Sequence, residues 1–171
     1  MRAIPSNPSR GLQGFTLVEL LVVATILLIL AAIAAANFAR SREAASEAAA
    51  VSSMRAIAVS EVGYQTTYGG YAPALDSLGP PRPGMSADAA RADLIDNALA
   101  GGYRNGYRFY YTATDHNGDG LQDHYEVNAD PESRPSGRPH FYMDDSGIIR
   151  VEMGQRAGPR SKPASVGSPT P

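Results

Sequence analysis

The sequence predicts an α+β protein in which one long N-terminal helix packs on a small antiparallel β-sheet. Residues 15–38 are almost entirely apolar, and residues 40–62 contain no proline and are rich in alanine. From Tyr107 onward, short segments alternate between apolar and polar residues, which is typical of strands with one buried face. With 171 residues, the chain has room for one membrane helix and one small domain.

The apolar run predicts a membrane-spanning helix over residues 15–38. At a rise of about 1.5 Å per residue it would extend about 36 Å, which exceeds a hydrocarbon core of about 30 Å. The run is too long for the apolar region of a secretory signal peptide. Glu19 lies about one turn inside it, where a carboxylate needs a partner or a route to the interface. Glu19 therefore either reaches back to the lipid headgroups or pairs with a cation of another chain.

The residues before the run favour the pairing. Residues 1–14 are polar, with two arginines and no acidic residue. With Gly14, Phe15 and Glu19, this segment resembles the cleavage and methylation signal of type IV prepilins and of the pseudopilins of type II secretion. The resemblance implies that a prepilin peptidase cuts between Gly14 and Phe15 on the cytoplasmic side. The same enzyme would then methylate the new amino group of Phe15.

The resemblance also implies a role for Glu19 in assembly. The mature subunit would leave the membrane and enter a helical filament, with its apolar helix in the filament core. Cleavage would create an ammonium group at Phe15, and methylation would keep its charge. A Glu19 carboxylate beside the Phe15 ammonium of a neighbouring subunit would neutralise both charges, in a medium where an unpaired charge is very costly.

On this resemblance, the chain is expected to be a structural subunit of a type II secretion pseudopilus or a type IV pilus-like filament, and not an enzyme. The implied partners are copies of itself, related minor pilins or pseudopilins, the prepilin peptidase and the inner-membrane assembly platform. It would cross the bacterial inner membrane once, with a cytoplasmic N-terminus and a C-terminal domain in the periplasm or in an extracytoplasmic filament. The alternative is a membrane-anchored calcium- or ligand-binding protein that never polymerises and tolerates Glu19→Ala.

One stretch departs from the resemblance. Many pilins and pseudopilins carry a helix-kinking proline shortly before an asparagine–aromatic pair at the end of the apolar run. Here three alanines precede Asn37 and Phe38. Proline removes a backbone hydrogen bond, whereas alanine is the best helix former. The kink that the family shows is therefore not predicted for this chain.

The composition excludes several classes of function. A net charge of -2 gives no case for nucleic acid as the main partner. Without cysteine there is no disulfide, thiol catalyst or cysteine-based metal site. No nucleophile, base and orienting group stand out together. His116, His124 and His140 do not share one element at metal-ligand spacing, so they do not predict a transition-metal site.

The apolar run continues into an amphipathic helix over residues 39–68. Its predicted apolar stripe consists of Val51, Met54, Ala58 and Val62. Tyr64 and Tyr68 lie one turn apart, and the glycine pair after Tyr68 is a typical end of a helix. The first half of the helix would thus span the membrane, and the second half would lie against the globular domain.

The globular domain is predicted over residues 69–153, with a pilin-like arrangement. A proline-rich loop leads to a short helix over residues 88–100, for which Ser86 is the predicted N-cap. Four strands follow, at residues 107–112, 124–129, 139–143 and 148–152. Residues 154–171 have almost nothing to bury, and we expect them to be disordered.

The connection between the first two predicted strands, residues 115–126, matches the twelve-residue calcium-loop pattern. The predicted ligands are the side chains of Asp115, Asn117, Asp119, Asp123 and Glu126 and the carbonyl of Leu121. The helices that flank such a loop in an EF-hand are missing. Asn-Gly and Asp-Gly are also common turn pairs, so an ordinary hairpin loop remains the alternative. Major pseudopilins are similar in having a calcium site in the C-terminal region.

Overall fold

The structure, a computed structural model, describes residues 15–132 and 138–164. The predicted leader, residues 1–14, lies outside the described residues. The chain divides into two compact units, Met1–Ser41 and Arg42–Pro171. The elements are α1 (Leu17–Tyr68), a 3-10 helix (Leu75–Leu78), α2 (Asn97–Ala100), β1 (Tyr103–Arg104), β2 (Tyr107–Thr114), β3 (His124–Pro131), β4 (Pro139–Asp144), β5 (Arg150–Met153) and β6 (Lys162–Pro163).

The described part of the first unit is helical from Leu17 to its end. The helix begins two residues later than predicted, because Thr16 caps it: the Thr16 hydroxyl accepts a hydrogen bond from the Glu19 amide at 3.2 Å. The helix is long and apolar enough to cross a membrane. It continues without interruption past Asn37 and Phe38, as expected where alanine replaces the kinking proline.

The second unit contains one antiparallel sheet of six strands, in the order β1-β2-β3-β4-β5-β6. The four predicted strands are confirmed as β2 to β5, and the structure adds the two-residue strands β1 and β6 at the edges. In β3, Tyr125, Val127 and Ala129 are buried and alternate with half-buried polar residues, as the sequence pattern predicts. The α+β class is therefore confirmed, with one long helix and a small antiparallel meander.

The core of the second unit lies between the sheet and the part of α1 that follows Arg42. Ala50, Met54, Ile57 and Tyr64 of α1 belong to one cluster with the inward side chains of β2, β3 and β4. Tyr64 and Tyr68 pack together, with ring centroids 4.6 Å apart. Strand β4 is buried on both faces, whereas β3 is buried on one.

The predicted apolar stripe of α1 is partly wrong. Met54 is fully buried, but Val62 is 63% exposed and points away from the core. The buried face instead continues through Ser60 and Glu61 to Tyr64. Because the true stripe contains polar residues at the helical period of about 3.6, a search for apolar positions alone places its last turn on the wrong side.

The predicted helix over residues 88–100 is much shorter, and its N-cap is Asp96 rather than Ser86. The Asp96 carboxylate accepts hydrogen bonds from the amides of Ala98 and Leu99 at 3.0 and 3.1 Å. Before it, the amides of Ala92 and Leu94 donate to carbonyls of residues 77 and 78 in the preceding 3-10 segment. Because these amides already donate to the 3-10 segment, they cannot form the hydrogen bonds of a helix. The helix therefore begins only after them.

The predicted disordered tail differs from the structure over residues 154–164. Ala157 is buried, and Lys162–Pro163 pairs with β5 as an edge strand. The Ala164 amide also donates to the Ile149 carbonyl at 2.8 Å. This segment is held mainly by hydrogen bonds and an ion pair rather than by apolar burial, so its composition gave no sign of order. Residues 165–171 lie outside the described residues.

Candidate functional site

The N-terminal site comprises the first described residues, from Phe15 to Glu19. Phe15 and Leu17 are each 79% exposed, and Glu19 is exposed as well. No cation among the described residues lies within ion-pair distance of Glu19. Gly14, the predicted residue before the cleaved bond, lies outside the described residues. The described residues therefore supply no charged partner for Glu19.

Glu19 also has a local role that sequence reasoning missed. Thr16 and Glu19 have the spacing of a capping box, and the Glu19 amide does donate to the Thr16 hydroxyl. Glu19 lies in the first turn of α1, where the helix dipole stabilises a negative charge. The threonine and glutamate at this spacing were the signal for this cap. The Glu19 carboxylate thus suits the start of the helix and is exposed in the single chain.

The first half of the candidate calcium loop is folded around its own side-chain oxygens. The Asp115 carboxylate accepts hydrogen bonds from the amides of Gly118 and Gly120 at 2.7 and 2.8 Å. Asn117 and Asp119 likewise accept from the amides two residues after each, at 2.9 Å. Gly118 and Gly120 have φ of 77° and 87°, a backbone conformation that favours glycine. The first half of the loop is therefore tightly curved.

In the second half of the loop, the acidic side chains contact histidines. Asp123 accepts hydrogen bonds from His116, whose ring nitrogen lies 2.8 Å from the carboxylate, and this contact lowers the pKa of Asp123. Glu126 lies 3.5 Å from His124, which also lies 3.2 Å from Asp145. Burial lowers the pKa of His124, but these two carboxylates outweigh it and raise the pKa overall. Within residues 15–132 and 138–164, no three His, Asp or Glu side chains are grouped to hold a metal ion.

The three histidines occupy two separate places. The rings of His116 and His124 lie 5.6 Å apart beside the candidate loop. His140 lies in β4, with its Nδ1 2.7 Å from Asp130. The ring of His140 thus contacts a carboxylate of the neighbouring strand β3.

Sequence reasoning also missed Glu61, an acidic residue enclosed in the core. Its side chain has no exposed surface, and its Oε2 accepts a hydrogen bond from the Ala72 amide at 3.0 Å. The sequence does contain a signal for its burial, because Glu61 lies three residues before Tyr64 on the same face of the helix. A search for apolar residues at helical spacing does not detect a buried glutamate.

Comparison with known families gives one match, at the N-terminus. Residues 10–35 match the family model of the prokaryotic N-terminal methylation motif. The match begins before the predicted cleavage point and covers most of the apolar run. Neither the curated proteins nor the solved structures gave a match to the chain.

Proposed function

We propose that this chain, which carries the N-terminal signature of type IV pilins and pseudopilins, is a structural subunit of a helical filament. The observation that carries the proposal is the position of the methylation motif, immediately before and within the one helix of the described residues that can cross a membrane. The filament would be a type II secretion pseudopilus or a type IV pilus. The subunit would have no catalytic role.

Processing creates the charge that assembly uses. A prepilin peptidase would cleave between Gly14 and Phe15 and methylate the Phe15 amino group. The side chains of the apolar helix are exposed in the single chain and would be covered first by lipid and then by neighbouring helices. The exposed Glu19 carboxylate would accept the ammonium group of Phe15 of a neighbour, where low polarity makes the pair strongly favoured over two separate charges.

The test is the intact mass of the full chain recovered from bacterial membranes that contain the peptidase. The expected mass is that of a chain beginning at methylated Phe15. Gly14→Val should block cleavage, because a branched side chain is placed beside the cut bond, and Gly11→Val in the same leader should not. A native chain that keeps residues 1–14 beside an active peptidase would support the membrane-anchored, non-polymerising alternative.

Within the filament class, we favour a major pseudopilin. The absence of cysteine and the candidate calcium loop support this choice, through the resemblance to proteins of that kind. The membrane half would then lie in the bacterial inner membrane, and the second unit would lie in the periplasm. Its partners would be copies of itself, minor pseudopilins and the inner-membrane assembly platform.

We further propose that the loop of residues 115–126 binds calcium. Asp115, Asn117 and Asp119 already enclose a tight turn, and Asp123 and Glu126 would leave their histidine partners to complete the site. Binding should be weak, with a Kd of about 10⁻⁴–10⁻³ M. With a Kd of 1 mM, 10 mM calcium would stabilise the fold by about 1.4 kcal/mol.

Thermal unfolding of the full chain in detergent micelles, with and without calcium, tests this site. Calcium should raise Tm, equal magnesium should do so less, and Asp119→Asn should reduce the effect. Asp88→Asn, in a turn remote from the loop in sequence, is the control and should keep it. An unchanged Tm at 10 mM calcium would leave the loop as an ordinary hairpin connection.

A further inference from the structure

Glu61 is a carboxylic acid in the core of the second unit. It lies on the buried face of α1, and no part of its side chain is exposed. One oxygen, Oε2, accepts a hydrogen bond from the Ala72 amide at 3.0 Å. The other, Oε1, is buried and has no hydrogen-bond partner among the described residues. A buried carboxyl group with one unsatisfied oxygen is unusual and calls for a physical explanation.

The residue that Glu61 binds lies at a junction of three elements. The Ala72 carbonyl accepts a hydrogen bond from the Tyr111 hydroxyl of β2 at 2.7 Å, so side chains satisfy both polar backbone groups of Ala72. The preceding residue, Tyr71, donates its amide to the Gln122 carbonyl at 2.8 Å. A Cβ added to Gly70 would lie 2.9 Å from that of Leu121, so the backbones approach closely here. Glu61 thus fixes the segment that joins α1 to the candidate calcium loop.

Within residues 15–132 and 138–164, the groups found to act on Glu61 carry no positive charge. The titratable groups that interact electrostatically with Glu61 are four phenols: Tyr64 in α1, Tyr71 after α1, Tyr111 in β2 and Tyr125 in β3. The further charged groups that act on these phenols are the carboxylates of Asp88, Asp144 and Asp145. Burial raises the pKa of Glu61, and the Ala72 amide and the Tyr111 phenol offset only part of that effect.

The neutral acid suits this site better than the anion. An ionised carboxylate here would be a buried charge without a counter-ion, which is costly. The protonated group keeps Oε2 as an acceptor for the Ala72 amide and carries no charge. Protonation therefore preserves the contact with Ala72 and removes the cost of burying a charge.

We propose that Glu61 is a positioning residue whose protonated carboxyl group holds Tyr71 and Ala72 between α1, β2 and the loop of residues 115–123, so that this junction loosens as pH rises. The proposal does not depend on filament assembly, because the groups involved all lie within the second unit. Ionisation of Glu61 would make the contact between the loop and the end of α1 sensitive to the pH around the second unit.

The sign of the effect follows from the raised pKa of Glu61. Below its ordinary value of 4.5, the acid is protonated in both the folded and the unfolded chain, and the full stability is present. As pH rises from there to the folded pKa, only the unfolded chain loses its proton. The ratio of folded to unfolded chain then falls about tenfold per pH unit, and it levels off above the folded pKa.

The decisive variant is Glu61→Gln, which keeps the size and the carbonyl acceptor but cannot ionise. The full chain in detergent micelles would be unfolded thermally at several pH values for the wild type, Glu61→Gln and Glu43→Gln, an exposed control on the same helix. We expect Glu61→Gln to gain stability over the wild type progressively as pH rises, and Glu43→Gln to follow the wild type. Hydrogen exchange of the Tyr71 amide should accelerate with pH more in the wild type than in Glu61→Gln.

A purely structural role would shift the stability of Glu61→Gln by the same amount at every pH, and that result would overturn the proposal. If Glu61→Gln does not fold, the carbon-13 resonance of the Glu61 carboxyl group in the wild type decides the question. Titration of that group above 4.5 supports the proposal, and titration at its ordinary value rejects it.

Discussion

At the scale of single residues, several aspartates organise the backbone that follows them. Asp88, Asp96, Asp115 and Asp119 each accept hydrogen bonds from amides two to five residues further on. Such local bonds compete with regular helix and favour caps and turns. They explain why the predicted helix before residue 97 is absent and why the long loops nevertheless have a defined backbone.

Asp96 gives a direct measure of this effect. Asp96→Ala removes the cap of α2 and should lower the free energy of unfolding by about 1 kcal/mol. Asp96→Asn keeps a capping oxygen but loses the charge that faces Arg104 at 2.6 Å. Because that ion pair is largely exposed, the asparagine variant should stay close to the wild type in chemical denaturation. Equal losses in both variants would show that the ion pair, and not the cap, stabilises this turn.

At the scale of elements, the segment of residues 154–164 completes the sheet. Arg156 binds Asp130 through its guanidinium group and lies over the ring of Tyr110, 4.4 Å from the centroid. Asp130 also binds His140, so one carboxylate joins β3, β4 and the C-terminal segment. Asn128 of β3 adds a hydrogen bond to the Ala157 carbonyl at 2.9 Å. These contacts hold the C-terminal segment against β2 and β3, and Asp130 links it to His140 of β4.

Arg156→Ala should release the C-terminal segment without unfolding the sheet. The arginine is half exposed, so we expect a modest loss of about 1 kcal/mol in the free energy of unfolding. Limited proteolysis at residues 154–164 should become faster, and hydrogen exchange at the Ala164 amide should increase. Arg160→Ala, in the same segment and exposed, is the matched control. Unchanged protection of the Ala164 amide in Arg156→Ala would contradict the role given to this contact.

At the scale of the whole molecule, the two units have opposite requirements of their surroundings. The first unit exposes its large apolar side chains, such as Leu28 at 71% and Phe38 at 71%, and it needs a membrane or other helices to cover them. The second unit has a hydrophobic core of its own. Assembly through the first unit would leave the second folded as it is in the single chain.

Glu19→Ala tests the assembly step separately from processing. The variant should still lose residues 1–14, because the cleavage point is intact, but it should form few or no filaments. Glu43→Ala, outside the apolar run, should assemble normally. Electron microscopy of sheared filaments and immunoblotting of the sheared fraction would measure the outcome. Normal filaments from Glu19→Ala would remove the proposed charge pair from the assembly mechanism.

Features set by local sequence were predicted well. The apolar helix and the end of α1 at Tyr68 depend on neighbours in the chain, and the structure confirms them. The burial of Glu61 and the order of residues 154–164 depend on partners distant in sequence, Ala72 and Asp130, which composition does not reveal. The N-terminal motif was recognised from its residues, whereas the junction at Ala72 became visible only from the fold.

The short edge strands have a consequence for how such a chain avoids aggregation. A sheet edge exposes unpaired backbone groups that can recruit further strands from other molecules. Here one edge is the two-residue strand β1, and the other ends in Pro163, which has no amide to donate. Copies of this chain that come close together are thereby hindered from joining sheet to sheet, and amyloid-like growth is disfavoured.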